Sequence, residues 1–292
     1  LGVFLSKLHV SQGILRFIGP MAVGFIVSAA YRIGRKMIKN WMTLALFFFG
    51  GLLTYFIRQP WIYPLVLICG GITSILSSKE KNLWNKIEIR PPWKYLIAFS
   101  VIALGSLLLS SLWNNRLVHL FESFYRYGYL VIGGGQVVVP MMFSELVELN
   151  KYMTSQEFLT GFGLVQGLPG PMFSFSAYAG GLAARGGSAF YQVLGAALSG
   201  IAIFLPGVLL IYFIYPIWEN LKQIKGIRVS LTGITAVASG LIAASAIILM
   251  QKTGFALNNI IVVVVALLLL LSKKVPAPLI VLLTIAAGFL VP

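Results

Sequence analysis

Apolar residues run through this chain in long blocks, and polar residues interrupt them in short bursts. The blocks lie near Leu15–Ile33, Trp41–Ile57, Trp61–Ser77, Tyr95–Trp113, Phe124–Phe143, Ser188–Tyr215, Val229–Met250, Leu257–Leu271 and Pro276–Val291. A bilayer's hydrocarbon is crossed by about 17 to 25 apolar residues in helical form, so each block is predicted to be a membrane helix. A further block, Glu157–Ala184, is interrupted in its middle and is taken to cross in all, though broken. The predicted fold is all-α: a polytopic transmembrane helical bundle with broken helices.

Two interruptions stand out. In YGYLVIGGGQVVVPMM, Tyr127 to Met142, three glycines break an apolar run ahead of Gln136 and Pro140. In QGLPGPMFSFSAYAGG, Gln166 to Gly181, Pro169 and Pro171 flank Gly170. Proline has no N–H and clashes with the preceding turn, so the helix stops near Leu168 and restarts near Pro171. Irregular backbone inside a membrane survives only where it is buried in protein or lines a wet cavity. A helix start presents free N–H donors and about half a positive charge, which suits an anion. Ser174 and Ser176 add hydroxyls, Gln136 and Gln166 add amides, and glycine lets backbone approach a ligand. The breaks predict one small polar pocket for something anionic near mid-membrane. A kink with Ser174 and Ser176 bonded back to the preceding turn is the plainer alternative.

Composition narrows the chemistry. Hydrophobic residues make up 59% and charged residues 10%, with a mean hydropathy of +0.92, against about 25% charged in soluble domains. The net charge of +15 reads as basic loops on the inner side of a membrane rather than as a nucleic-acid surface. One cysteine, Cys69, two histidines, His9 and His119, and no aspartate leave no disulfide within the chain, metal centre or catalytic triad to assemble. Neither enzyme nor cofactor nor bound metal is expected. Glu145 and Glu148 follow the first break and Glu157 opens the next helix; in a membrane they would be candidate proton carriers, while Asn150, Lys151 and Ser155 favour a solvated loop. Arg185 faces the pocket mouth or marks a helix end.

The chain opens on Leu1 and reads as a fragment carrying an internal repeat. IGPMAVGFIVSAA (Ile18 to Ala30) aligns with ITAVASGLIAASA (Ile234 to Ala246) at Ile18/Ile234, Ala22/Ala238, Gly24/Gly240, Ile26/Ile242 and Ala30/Ala246; PLVLICGG from Pro64 is echoed by PLIVLLTIAAG from Pro278. Residues 1–77 are expected to end a truncated first repeat, 78–94 to form a basic linker, 95–116 a connecting helix and 117–292 a complete second repeat. Lysine and arginine counting then puts Lys36 on the cytoplasmic side and Lys252 on the far side, making the repeats inverted.

These stretches resemble the chromate ion transporter family. The resemblance rests on FYRYGYLVIGGGQVVVP, EFLTGFGLVQGLPGPMFSFSAYAG and GAALSGIAIFLPGVLLI, in order between Phe124 and Ile211, and on the basic helix end AAYRIGRKMIK. It implies chromate efflux from the cytoplasm, coupled to membrane potential or proton gradient, through a multi-pass protein of the cell's inner membrane. By position it carries Gly133, Gly134, Gly135, Gln136 and Pro140 as one substrate motif, and Gln166, Pro169, Gly170 and Pro171 as the other. The motifs of the family's amino-terminal half are absent, and the acid after Pro140 sits further on than usual, at Glu145. A carrier for sulfate or another anion, or a non-transporting membrane scaffold, are the alternatives. The expected partners are a small inorganic anion, the lipid bilayer and, as an option, a second copy of the chain.

Overall fold

The computed structural model describes residues 15–80, 83–84, 90–131 and 135–290. Residues 81–82 and 85–89 of the linker, Gly133 and Gly134 lie outside the described residues. Among those described, every regular element is helical. The helices are α1 (Ile18–Met37), α2 (Trp41–Phe56), α3 (Ile62–Leu76), α4 (Trp93–Leu112), α5 (Arg116–Tyr129), α6 (Val139–Phe143), α7 (Ser155–Gln166), α8 (Phe175–Ala183), α9 (Ala189–Ile214), α10 (Trp218–Leu221), α11 (Lys225–Thr253), α12 (Leu257–Ser272) and α13 (Ala277–Leu290).

Local chemistry places several starts. Asn40 accepts from Thr43 N–H at 2.9 Å while Thr43 Oγ1 accepts from Asn40 N–H at 3.1 Å, a reciprocal cap that opens α2. Thr154 and Glu157 cap α7 in the same way. Among the described residues, three helical stretches are long and apolar enough to cross a membrane: Trp93–Leu112, Ala189–Leu221 and Lys225–Thr253; α2, α3, α12 and α13 are shorter apolar helices. On α4 only Ser106 is buried, and Ile97, Val101, Leu104 and Leu108 point outward, as they would toward lipid tails. Trp41, Trp61, Trp93, Trp113 and Trp218 are exposed near helix ends, where indoles favour the membrane interface.

The bundle is organised around α11, much of whose length is buried. α1 runs antiparallel to it, since Gly19 lies against Thr253 and Met37 borders one groove with Ile227 and Thr235. α3 is also antiparallel, with Ser74 Oγ donating to Val229 O at 2.7 Å and Gly70 against Gly233. Small residues allow this closeness. A methyl group on Gly240 would fall 2.0 Å from the Phe47 carbonyl oxygen and 2.9 Å from Gly51 N; one on Gly24 would fall 2.9 Å from the Val263 carbonyl oxygen and 3.5 Å from Leu267 N. The two crossings are related by one shift, because 240 − 24, 263 − 47 and 267 − 51 all equal 216.

Basic residues divide unevenly between the bundle's ends. Arg32, Arg35, Lys36, Lys39, Lys79, Arg90, Lys94, Lys222, Lys225, Arg228, Lys273 and Lys274 lie toward one end, and Arg16, Arg58, Arg116, Lys151, Arg185 and Lys252 toward the other.

Two stretches expected to cross do not run from end to end. The run Phe124–Phe143 is split: α5 reaches Tyr129, and after the glycines the chain returns through a 3-10 turn (Gly135–Val138), α6 and a wide π-type turn (Ser144–Leu149). The stretch Glu157–Ala184 likewise doubles back, with α7 outbound and α8 inbound. The ion pairs leave no other path. Arg185 binds Glu157 at 2.6 and 2.9 Å and donates to Tyr152 O at 3.2 Å. Arg116 lies 5.1 Å over the Tyr152 ring and donates to Ala183 O and Arg185 O at 3.3 and 3.1 Å. Residues 116, 152, 157 and 185 therefore share one end of the bundle. This corrects the single crossing assigned to Glu157–Ala184. Edge-to-face packing of Phe158 and Phe175 at 4.9 Å, and the Tyr178 hydroxyl donating to Glu157 O at 3.0 Å, hold α7 to α8.

Candidate functional site

The two hairpins stand side by side with their tips together. A methyl group on Gly135, in the first tip, would lie 2.7 Å from Met172 Sδ and 3.1 Å from Phe173 Cζ, in the second. Both tips reach the same level of α9: Gly128 abuts Ile203 O and Pro206, and the Phe173 ring lies 5.8 Å from that of Phe204. Counted along α9 from Ala189 to Ile214, Pro206 is about 26 Å from the start and about 12 Å from the end. The tips thus stop inside the span.

Each tip joins a helix end to a helix start. Gln166 closes α7; Gly167 and Leu168 finish it with N–H donations to Leu164 O and Val165 O at 3.0 and 3.1 Å. Gly170 has φ +139°, a conformation that side chains other than glycine's rarely adopt. The chain turns inward again through Met172–Ser174 into α8. On the first hairpin the corresponding start runs from Gly135 into α6, with Pro140 at its second position. Two helix starts, with their positive poles, open at one level.

The predicted substrate residues are distributed unequally around this point. Gly135 and Gln136 are half-buried and Pro140 is buried. The Gln166 side-chain nitrogen is buried without a hydrogen-bond partner. Pro169, Gly170, Pro171 and Ser174 lie on the exposed side of the tip, where a side chain on Gly170 would meet nothing within 4 Å. Ser176 is buried. The hydroxyls of Ser174 and Ser176 donate to Pro171 O and Phe173 O at 2.9 and 2.6 Å, so their protons are held by the preceding turn and their lone pairs remain. The tip is enclosed on the side of α9 and α13, where Gly167 packs on Val281, and open on the other.

A charged cluster stiffens the first hairpin. Arg126 on α5 binds Glu122 at 2.7 Å and Glu145 at 2.9 Å, and Ser123 Oγ donates to Glu145 at 2.8 Å. Glu145 is 8% exposed, so it is not part of a solvated loop: the π-type turn swings its carboxylate inward onto Arg126. Glu148, also withdrawn from solvent, accepts from Arg58 and faces Lys252, both at 3.3 Å, tying the hairpin to the ends of α2 and α11. Arg126 and Glu122 were missed among the expected site residues. Their signal is an acid and a base at i, i+4 on a strongly amphipathic helix inside an apolar stretch. At the hairpin base, burial pushes Glu157 upward, but the Arg185 guanidinium and the Thr154 N–H outweigh it and hold the carboxyl below its usual range. No cluster of metal-ligating residues occurs among the described residues.

A family profile described as Chromate transporter matches residues 118–289. The chain is 24% identical over 280 residues to a probable chromate transport protein of Synechococcus elongatus, covering 95% of this chain and 68% of that one. It is 23% identical over 254 residues to a chromate transport protein of Cupriavidus metallidurans, 83% of this chain and 57% of that one. With a chromate transport protein of Pseudomonas aeruginosa it shares 31% identity over 134 residues, 46% of this chain and 30% of the relative. The chain therefore spans about two thirds of the first relative, little more than half of the second and less of the third. No solved structure matches it.

Proposed function

The chain belongs to the chromate transporter family, and from that premise we propose that it carries an inorganic oxyanion, chromate foremost, held where the two hairpin tips meet. One observation carries this reading: Gly135 touches Met172 and Phe173 at a level inside the membrane span where two helix starts open. There a dianion meets positive helix poles and backbone N–H groups in a low-dielectric setting. The binding set is Gly135, Gln136 and Pro140 from the first hairpin, with Gly133 and Gly134 of the same sequence motif, and Gln166, Pro169, Gly170, Pro171, Ser174 and Ser176 from the second. Glu145, Glu157 and Arg185, which hold hairpin limbs together, are the coupling or gating groups. Transport runs outward across the cell's inner membrane. Sulfate, a tetrahedral dianion of similar size, fits the same donors and is the second reading.

Thermal unfolding in detergent tests the site. Millimolar chromate should raise the melting temperature and chloride should not; protection by sulfate alone assigns the chain to the second reading, and no protection by either dianion removes the site. Gly170→Val forces a branched side chain into a φ of +139°, so it should abolish chromate efflux from loaded cells while membrane insertion is kept. Normal efflux in that variant counts against the tip.

We also read residues 1–77 and 117–292 as copies of one unit, inverted across the membrane and joined by 95–116. Antiparallel α1 and α11, and the two glycine crossings related by 216 residues, support it. With both hairpins re-entrant, α2, α3, α4 and α9 lie between α1 and α11, which again gives them opposite directions. Cysteine labelling of intact cells should reach Lys252→Cys from outside and not Lys36→Cys; equal labelling of the two sinks the inverted arrangement.

A further inference from the structure

Resting on the inverted-repeat reading, the pseudo-symmetry has an unfilled position. On the second repeat's side, Gly19 of α1 lies against Thr253 of α11, and Leu159 of the second hairpin closes over it: a methyl group on Gly19 would lie 3.7 Å from the Leu159 side chain. Ile18 beside it is fully buried, pressed against Gly163. Shifting by 216 residues carries Gly19 to Thr235 and Thr253 to Met37. Those two residues border an open groove of about 350 Å³, with Leu231 and Thr232 along its floor and Lys222 and Arg228 near the basic end of the bundle. Ile234, the counterpart of fully buried Ile18, is only half-buried, and Leu231 is 40% exposed. Among the described residues, none takes at Thr235 the place that Leu159 takes at Gly19.

We infer that this groove receives a second re-entrant helical hairpin, the first repeat's counterpart of residues 155–185, entering from the basic end. The occupant is a first-repeat polypeptide of the kind the longer relatives have room for, since this chain spans 68% of one and 57% of another. Its chemistry follows from its twin. It is a short apolar helix with a leucine-sized side chain over Thr235 and small residues facing Ile234, breaking at a tip that meets the exposed side of Leu168–Pro171. Two tips would then face each other, and the open flank of Gly170 would become an enclosed one. An isolated apolar hairpin cannot bury its face alone, and a groove lined by Met37, Leu231 and Thr235 supplies that burial.

The test is site-specific photocrosslinking in membranes. The photoreactive amino acid p-benzoylphenylalanine is placed at Leu231, at Thr235 and, as a lipid-facing control, at Leu107. The chain is co-expressed with the part of the Synechococcus relative that this chain does not match, and crosslinked peptides are identified by mass spectrometry. Crosslinks from 231 and 235, but not from 107, to one short apolar segment of that polypeptide are expected. Thr235→Trp, which fills the groove, should reduce the Leu231 crosslink at least tenfold while the chain still inserts. Crosslinks from 231 and 235 only to phospholipid, or only to a second copy of the chain, overturn the inference. If that happens while Lys36→Cys and Lys252→Cys still label on opposite sides, the hairpin fails and the inverted repeat stands.

Discussion

Replacing Gly240 by alanine probes a helix crossing where backbone meets backbone, and its cost can be worked from the geometry. The new methyl would sit 2.0 Å from the Phe47 carbonyl oxygen and 2.9 Å from Gly51 N. Both are backbone atoms, so no side-chain rotation relieves the clash. Ordinary contact begins near 3.4 Å, and α2 must retreat from α11 by more than 1 Å. Overpacking of this kind costs about 1–3 kcal/mol or more. Against it stands a helix-propensity gain of about 1 kcal/mol for Gly→Ala. Gly24→Ala, at the related crossing, meets the Val263 carbonyl oxygen at 2.9 Å and the Ala266 methyl at 3.0 Å, a milder backbone clash than at Gly240, so its net loss is smaller. Gly105→Ala on α4 meets nothing within 4 Å and keeps only the gain. Because the clash at Gly240 is with backbone and exceeds 1 Å, the upper end of that cost applies, about 3 kcal/mol, and the net loss is about 2 kcal/mol. Thermal unfolding of the three purified variants in one detergent should rank Gly105→Ala at or above the parent, Gly240→Ala lower by roughly 4–8 °C, at about 2–4 °C per kcal/mol, and Gly24→Ala between the two. A Gly240→Ala protein that melts with the parent would refute the close approach of α2 and α11, and with it the symmetry argument built on those backbone contacts.

Arg126→Gln should cost about 3–5 kcal/mol, because it leaves Glu122 and Glu145 buried without their shared cation, and Glu145→Gln clearly less, since Arg126 keeps Glu122; chemical denaturation in mixed micelles reads the difference, and equal losses would show that the cluster is solvated. At the hairpin base the direction with pH is fixed by Glu157, whose folded-state carboxyl lies below its ordinary 4.5. The contribution of its pairing is complete above that ordinary value and is lost as pH falls through the depressed one. Parent and Glu157→Gln melting curves should therefore converge on acidification, and a gap that stays constant down to pH 3 would contradict the Arg185 pairing.

Much of this architecture was legible in the sequence where one face of lipid sets the pattern. α2, α3, α9, α12 and α13 begin and end within one or two residues of their apolar runs, because capping residues such as Asn40 and Ser188 coincide with the change from polar to apolar. The alignment of Gly24 with Gly240 was legible for a different reason: a position where backbones touch admits only the smallest residue. Hairpins hid themselves. Phe124–Phe143 and Glu157–Ala184 reverse direction while surrounded by protein on most sides, so hydrophobic letters persist through the turn and hydropathy cannot tell a reversal from a crossing. The glycines and prolines marked where the chain breaks, not which way it leaves. Glu145 was misplaced because its sequence neighbours, Asn150 and Lys151, are polar, while its spatial neighbour, Arg126, lies nineteen residues earlier on the opposite limb.

The off-centre depth shared by the two hairpin tips has an electrical meaning. A dianion resting at the level of Pro206 is about 12 Å from the α9 end beside the basic loops and about 26 Å from the other end, so it has entered roughly a third of the transmembrane field if the basic end faces the cytoplasm. Moving two charges across a whole 100 mV drop is worth about 4.6 kcal/mol. Roughly 1.5 kcal/mol of that would act on loading and roughly 3 kcal/mol on release. An inside-negative potential would then act as an ejector more than as a loader: occupancy at the tips would respond weakly to voltage, and the outward step from them would carry most of the gating charge.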